Sequence, residues 1–128
     1  MHKLINRNKA AKYFANYYPE IKEEIRFLSL QKNFAGIIQS IINYLFQLLE
    51  QSKQCIVIAK IQGMGRLYRR GNHAVKELIE NLFIRSFHAM KKRCKPQEWN
   101  FLLEKCPAVF QNIYQNQINK DQRLKIKI

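Results

Sequence analysis

Cys94 stands among Lys91, Lys92, Arg93 and Lys95, and neighbouring cations lower a thiol's pKa and make it nucleophilic. His88 lies one to two helical turns upstream, where an imidazole can assist. No second partner or oxyanion device accompanies the pair, so Cys94 reads as an exposed bystander. His73, Glu77 and Glu80 fall on one side of a helix at i, i+4 and i+7 and could converge on a cation. Metal helices of the di-iron type carry Glu-x-x-His pairs on two helices, and here no Glu stands three residues before a His. A solvated face with a Lys76–Glu80 pair is the simpler account. No Gly-rich phosphate loop of Walker or Rossmann spacing exists, since GMG lacks the continuation either requires. The sequence therefore predicts no enzyme, no metal and no other cofactor.

Charge is the stronger signal. The 128 residues hold 23 Lys and Arg against 9 Asp and Glu, a formal net charge of +14. Such a surplus attracts acidic proteins, nucleic acids or anionic surfaces, although it can also serve solubility alone. Two segments concentrate it: GMGRLYRRGN, with Arg66, Tyr68, Arg69 and Arg70, and KKRCK, with Lys91, Lys92, Arg93 and Lys95. Tyr68 between arginines resembles the basic-aromatic mix that binds single strands, while a solvated basic loop is the plainer reading. The two segments flank one helix at its ends and are separated by roughly 25–30 Å, so they need not form one patch. No helix-turn-helix or RNP signature is present.

The element that positions both segments runs from Gly71 to Met90. Val75, Leu78, Ile79, Leu82, Phe83, Phe87 and Met90 keep helical spacing, and Asn72 precedes them as an N-cap. A second apolar helix over residues 33–52 is its expected partner in the core. Upstream, Asn8 is expected to cap a helix over Lys9–Tyr18, which Pro19 breaks before Pro19–Leu30 begins again. QCIVIAKI, residues 54–61, is β-branched, but with no second strand to pair with it reads as helix. Gly63 and Gly65 then mark GMGRLYRRGN as an exposed, mobile connection. Pro96 and Pro107 each open a helix, the second ending near Asn119, and residues 120–128 read as a frayed tail.

Three cysteines at irregular spacing suit reduced thiols and a cytoplasmic protein. Cys55 and Cys106, among apolar neighbours, read as core thiols. No apolar run reaches the length of a signal peptide or membrane span. The fold class that follows is all-α, one domain over 1–128, a bundle of six or seven helices around a central pair.

GNHAVKELIENLFIRSF, followed by Trp99 and CPAVFQNIYQNQ, resembles a family of small all-helical bacterial proteins of undetermined function. The likeness covers residues 71–117 and rests mostly on core positions: Val75, Leu82, Phe83, Phe87, Trp99 and Tyr114. Asn81 is the polar exception, expected to bond a neighbouring helix's backbone. Members look like the immunity-type proteins of toxin systems, which neutralise a toxin by binding it. The resemblance implies a non-enzymatic protein-interaction module that occludes its partner. On that view the basic segments meet an acidic protein and speed its association. The alternative is a small basic protein that binds nucleic acid.

Overall fold

The computed structural model describes residues 3–126. Asn6 opens α1 (Arg7–Tyr17), its Oδ1 accepting the Lys9 N–H at 2.9 Å. The cap lies two residues before Asn8, because the turn from Arg7 brings Ala10, Ala11, Phe14 and Ala15 inward together and leaves Asn8 exposed. Pro19 ends α1 and heads a 3-10 turn, Pro19–Ile21, which passes into α2 (Lys22–Leu30). Helix α3 (Phe34–Glu50) is capped by Asn33, which accepts the Gly36 N–H at 2.9 Å. Lys32 and Ser52 take left-handed backbone angles, φ 55° and 59°, just beyond α2 and α3, the position where such a residue terminates a helix.

Residues 54–61 are helical, as the missing partner strand requires, but the helix does not stop there. α4 runs unbroken over Gln54–Arg70, so the mobile connection expected at 63–72 does not exist. Val57, Ile61, Met64, Leu67 and Tyr68 are buried, a helical period continuing straight through both glycines. Gly63 and Gly65 are contact points instead of breakers. A Cβ on Gly65 would lie 2.4 Å from Pro107 Cγ, and one on Gly63 would lie 3.2 Å from Tyr17 Cε1. The chain leaves α4 in extended geometry at Gly71, φ −73° and ψ 149°. There a one-residue parallel bridge pins the N-terminal strap: Ile5 N–H donates to Arg70 O at 2.7 Å, and Asn72 N–H to Ile5 O at 2.8 Å.

Asn72 then caps the next helix through the Val75 N–H at 3.0 Å, as its position in the sequence predicts. Residues 73–92 form one continuous run with an irregular middle. It comprises α5 (His73–Leu78), a π turn (Ile79–Phe83), a 3-10 turn (Ile84–Ser86) and α6 (Phe87–Lys92). α7 (Pro96–Lys105) and α8 (Ala108–Ile126) complete the chain. α8 carries helix through residues 120–126, where a frayed tail was expected; residues 127–128 of that expectation lie outside the described residues. Counting 73–92 once, the described residues hold seven helical segments in an all-α domain with no strand.

The run 73–92 packs on α3, forming the expected central pair. Around its second half, Phe87 meets Trp99, Phe110 and Tyr114 with centroids 6.0, 6.4 and 5.5 Å apart. Edge-on contacts of this kind each add about 0.5–1.5 kcal/mol beyond burial. No described helix is long and apolar enough to cross a membrane.

Candidate functional site

The single basic loop foreseen between Gly63 and Asn72 is replaced by a face built from two helices. Arg66, Arg69 and Arg70 are exposed on the last turns of α4. Tyr68, one residue out of phase with them, turns inward, as a helix of 3.6 residues per turn demands. It is buried, its ring edge-on to Phe110, and its hydroxyl donates to Glu80 Oε1 at 2.8 Å. Burial first and that hydrogen bond second push the Tyr68 hydroxyl up to about 12. Tyr68 is therefore a core residue, and it leaves the candidate binding set.

Other tyrosines take its place. Arg70 Cζ lies 5.5 Å from the centroid of Tyr13, and Arg66 Cζ lies 5.9 Å from that of Tyr17, both on α1. The pairs run in opposite order along the two helices, 13 with 70 and 17 with 66. Tyr13, Tyr17, Arg66, Leu67, Arg69 and Arg70 line a surface groove of about 310 Å³. A second groove of about 430 Å³ adjoins it through Arg69 and Arg70 and adds Lys3 and Leu4. Leu4 is 65% exposed. Among the described residues no carboxylate lines either groove.

Gly63 is what lets the ring of Tyr17 lie against α4. Lys60 holds the end of α1: its ammonium donates to Tyr17 O and sits 5.1 Å above the Tyr18 ring. A cation at a helix C-terminus is favourably placed in the field of the helix dipole. Sequence reading missed Tyr13, Tyr17 and Lys3 because they are distant from the arginines in the chain. Their available signal was the i, i+4 spacing of Tyr13 and Tyr17 on a helix.

The second basic segment goes elsewhere and is partly consumed by the fold. Arg93 Cζ sits 3.9 Å from the Phe46 centroid, and its Nε lies 3.6 Å from Glu50 Oε1. Its Nη1 also donates to Ala89 O at 3.0 Å. Arg93 thus ties the end of α6 to α3. Lys91, Lys92 and Lys95 are exposed, and none of them lines the tyrosine–arginine grooves.

The candidate reaction chemistry is dispersed. Cys94 is half-buried, and burial, followed by the charge of Glu98, raises its thiol pKa. The cations beside it in sequence do not produce the low-pKa thiol that nucleophilic chemistry needs. Cys106 is buried and pushed up to about 12 by that burial. Cys55 is exposed, not a core thiol, because its side of α4 is the outward one. His73 Nε2 lies 3.0 Å from Glu77 Oε1 at the surface. Glu80 is drawn away to Tyr68, so it neither joins His73 nor pairs with Lys76, whose ammonium sits 5.4 Å from the Tyr68 ring centroid. Among the described residues, no three His, Cys, Asp or Glu side chains are grouped to hold a metal ion.

Asn81 is exposed and is not the inter-helix bond expected of it. Gln117 of α8 makes that bond one residue away, donating from Nε2 to Glu80 O at 2.9 Å. A π turn disturbs the regular carbonyl ladder of a helix, and Gln117 supplies a donor inside the disturbed stretch.

A family model described as "Domain of unknown function (DUF7674)" matches residues 11–120. No curated protein and no solved structure matches the chain.

Proposed function

The chain belongs to the DUF7674 domain family, and we propose that it is a non-enzymatic binding module that holds an anionic macromolecule on the α1–α4 face. The observation that carries this reading is the groove where Arg66, Arg69 and Arg70 stand together with Tyr13 and Tyr17 and no described carboxylate joins them. Guanidinium forks recognise carboxylates and phosphates in two-point geometry. The raised Cys94 thiol and the engagement of Glu80 by Tyr68 support binding over catalysis.

The resemblance of residues 71–117 to a family that looks immunity-like supports a protein as the partner, occluded in the cytoplasm, and the charge of +14 supports an acidic one. Tyrosines grouped with arginines, as in this groove, are also the composition of a protein-interface hot spot. A nucleic-acid partner is the second reading, favoured by the seating of two arginines on tyrosine rings.

Two triple variants of equal charge test the face itself. Arg66, Arg69 and Arg70→Ala should abolish retention of the protein by poly-glutamate and by oligo-dT at low salt. Lys91, Lys92 and Lys95→Ala, which removes as many charges, should leave most of it. Equal losses in the two variants would show that net charge alone acts and would remove the face from the account.

A further inference from the structure

The α1–α4 face repeats. Tyr13 and Tyr17 are one turn apart on α1, and Arg70 and Arg66 are one turn apart on α4, each arginine over its own ring. Four helical residues rise about 6 Å, so the face presents two aromatic–cation steps at that interval. One nucleotide of an extended strand has a comparable reach. Arg69 stands beside the steps, and the second groove carries Lys3 and Leu4 onward from Arg69 and Arg70.

We infer that this two-step ladder is a binding site for single-stranded nucleic acid, without base-sequence preference, resting on the α1–α4 reading given above. Phosphates would meet Arg66, Arg69, Arg70 and Lys3, while bases stack against Tyr13, Tyr17 and the apolar surface of Leu4. Stacking suits any base because every base has a π face. Duplex bases are already stacked on one another and cannot use the tyrosines, so the ladder selects the unpaired strand. The charge of the chain, +14 with a pI near 10.0, supplies the long-range attraction such a site needs.

The test is fluorescence anisotropy of the full chain with fluorescein-labelled dT15, a 15-base-pair duplex, and poly-glutamate as competitor, from 50 to 200 mM NaCl. For four phosphate contacts on a single strand, log affinity should fall against log salt with a slope of about −3, close to a 60-fold loss across that range. Arg66→Ala with Arg70→Ala should reduce the slope by about 1.4. Tyr17→Ala should weaken dT15 roughly tenfold with the slope unchanged, the mark of lost stacking and not of lost charge. Tyr17→Phe should restore the affinity, and far-UV circular dichroism should show each variant folded.

Duplex binding as tight as dT15, or indifference of dT15 to Tyr17→Ala, overturns the single-strand assignment. Poly-glutamate displacing dT15 at equal charge overturns it too, yet leaves the face standing as a site for acidic protein. Binding of neither probe at 50 mM NaCl overturns the face and the assignment together.

Discussion

Tyr68 shows how one residue's phase on a helix decides its role. Flanked by Arg66 and Arg69, it belongs by sequence to the basic cluster, yet it points to Phe110 and bonds Glu80. Its protonated form is the one the fold accommodates. The folded pKa stands near 12 against an ordinary 10.0, so the unfolded chain releases this proton first. The contribution to stability is complete below pH 10 and is lost as the pH climbs from about 10 towards 12. Tyr18, still more deeply buried, shifts in the same direction. Chemical denaturation at pH 8, 10 and 11 should therefore show a stability that is flat and then declines. Tyr68→Phe should cost about 1.5–3 kcal/mol at pH 8 for the lost hydrogen bond to a carboxylate and should make the decline shallower. The thiols offer a second check at the same scale. Exposed Cys55 should react with a thiol reagent well before half-buried Cys94, and Cys106 only when the chain unfolds. Cys94 reacting first would reinstate the activated thiol that its cationic sequence neighbours suggest.

At the scale of elements, regular apolar spacing was legible in the sequence and contact between distant elements was not. Asn33, Asn72, Pro96 and Pro107 mark helix starts in the chain itself, and the structure places helix starts there or one residue on. Gly63 and Gly65 mislead because their reason lies in other elements: Tyr17 on α1 and Pro107 between α7 and α8. A local reading sees flexibility where the fold uses smallness to bring segments close. The candidate site suffered for the same cause, since two of its aromatic members lie on α1 and its arginines on α4. Substitution by alanine separates these roles. In a helix interior, Gly→Ala gains about 1 kcal/mol of propensity. At Gly65 the new methyl would strike a rigid proline ring at 2.4 Å, and overpacking of that kind costs roughly 1–3 kcal/mol. Gly65→Ala should lower stability in a urea titration. Gly63→Ala meets the edge of a surface tyrosine at 3.2 Å and the end of the Arg66 side chain at 3.5 Å, both of which can yield, so it should be neutral or stabilising while displacing Tyr17. Gln117→Ala should cost about 1 kcal/mol by removing the donor to Glu80 O in the π turn.

Across the whole molecule, excess charge acts on folding and on binding with opposite signs of salt dependence. A chain of +14 repels itself when compact, and expansion on unfolding relieves that repulsion. Among the described residues the ion pairs that oppose it are few and mostly at the surface: Arg26–Glu23, Lys60–Glu20, Arg85–Asp121 and Arg93–Glu50. Such pairs contribute about 0–1 kcal/mol each, too little to offset a field summed over the surface. Salt shortens the Debye length from about 30 Å at 0.01 M to about 8 Å at 0.15 M, below the size of the domain. Repulsion between distant cations is then screened, while close pairs lose less. The melting temperature should therefore rise between 10 and 150 mM NaCl, over the same range in which affinity for a polyanion falls. Arg66, Arg69 and Arg70→Ala should raise the melting temperature at 10 mM NaCl and reduce its dependence on salt, because those cations face no carboxylate in their groove. Arg93→Ala removes the same kind of charge from a residue bound to Phe46, Glu50 and Ala89, and should lower the melting temperature instead. A fall on removing the three arginines would mean that they brace α1 against α4 through the tyrosine rings more than they repel one another. In that event their part in the fold, and not an external anion, would be the reason for the carboxylate-free face.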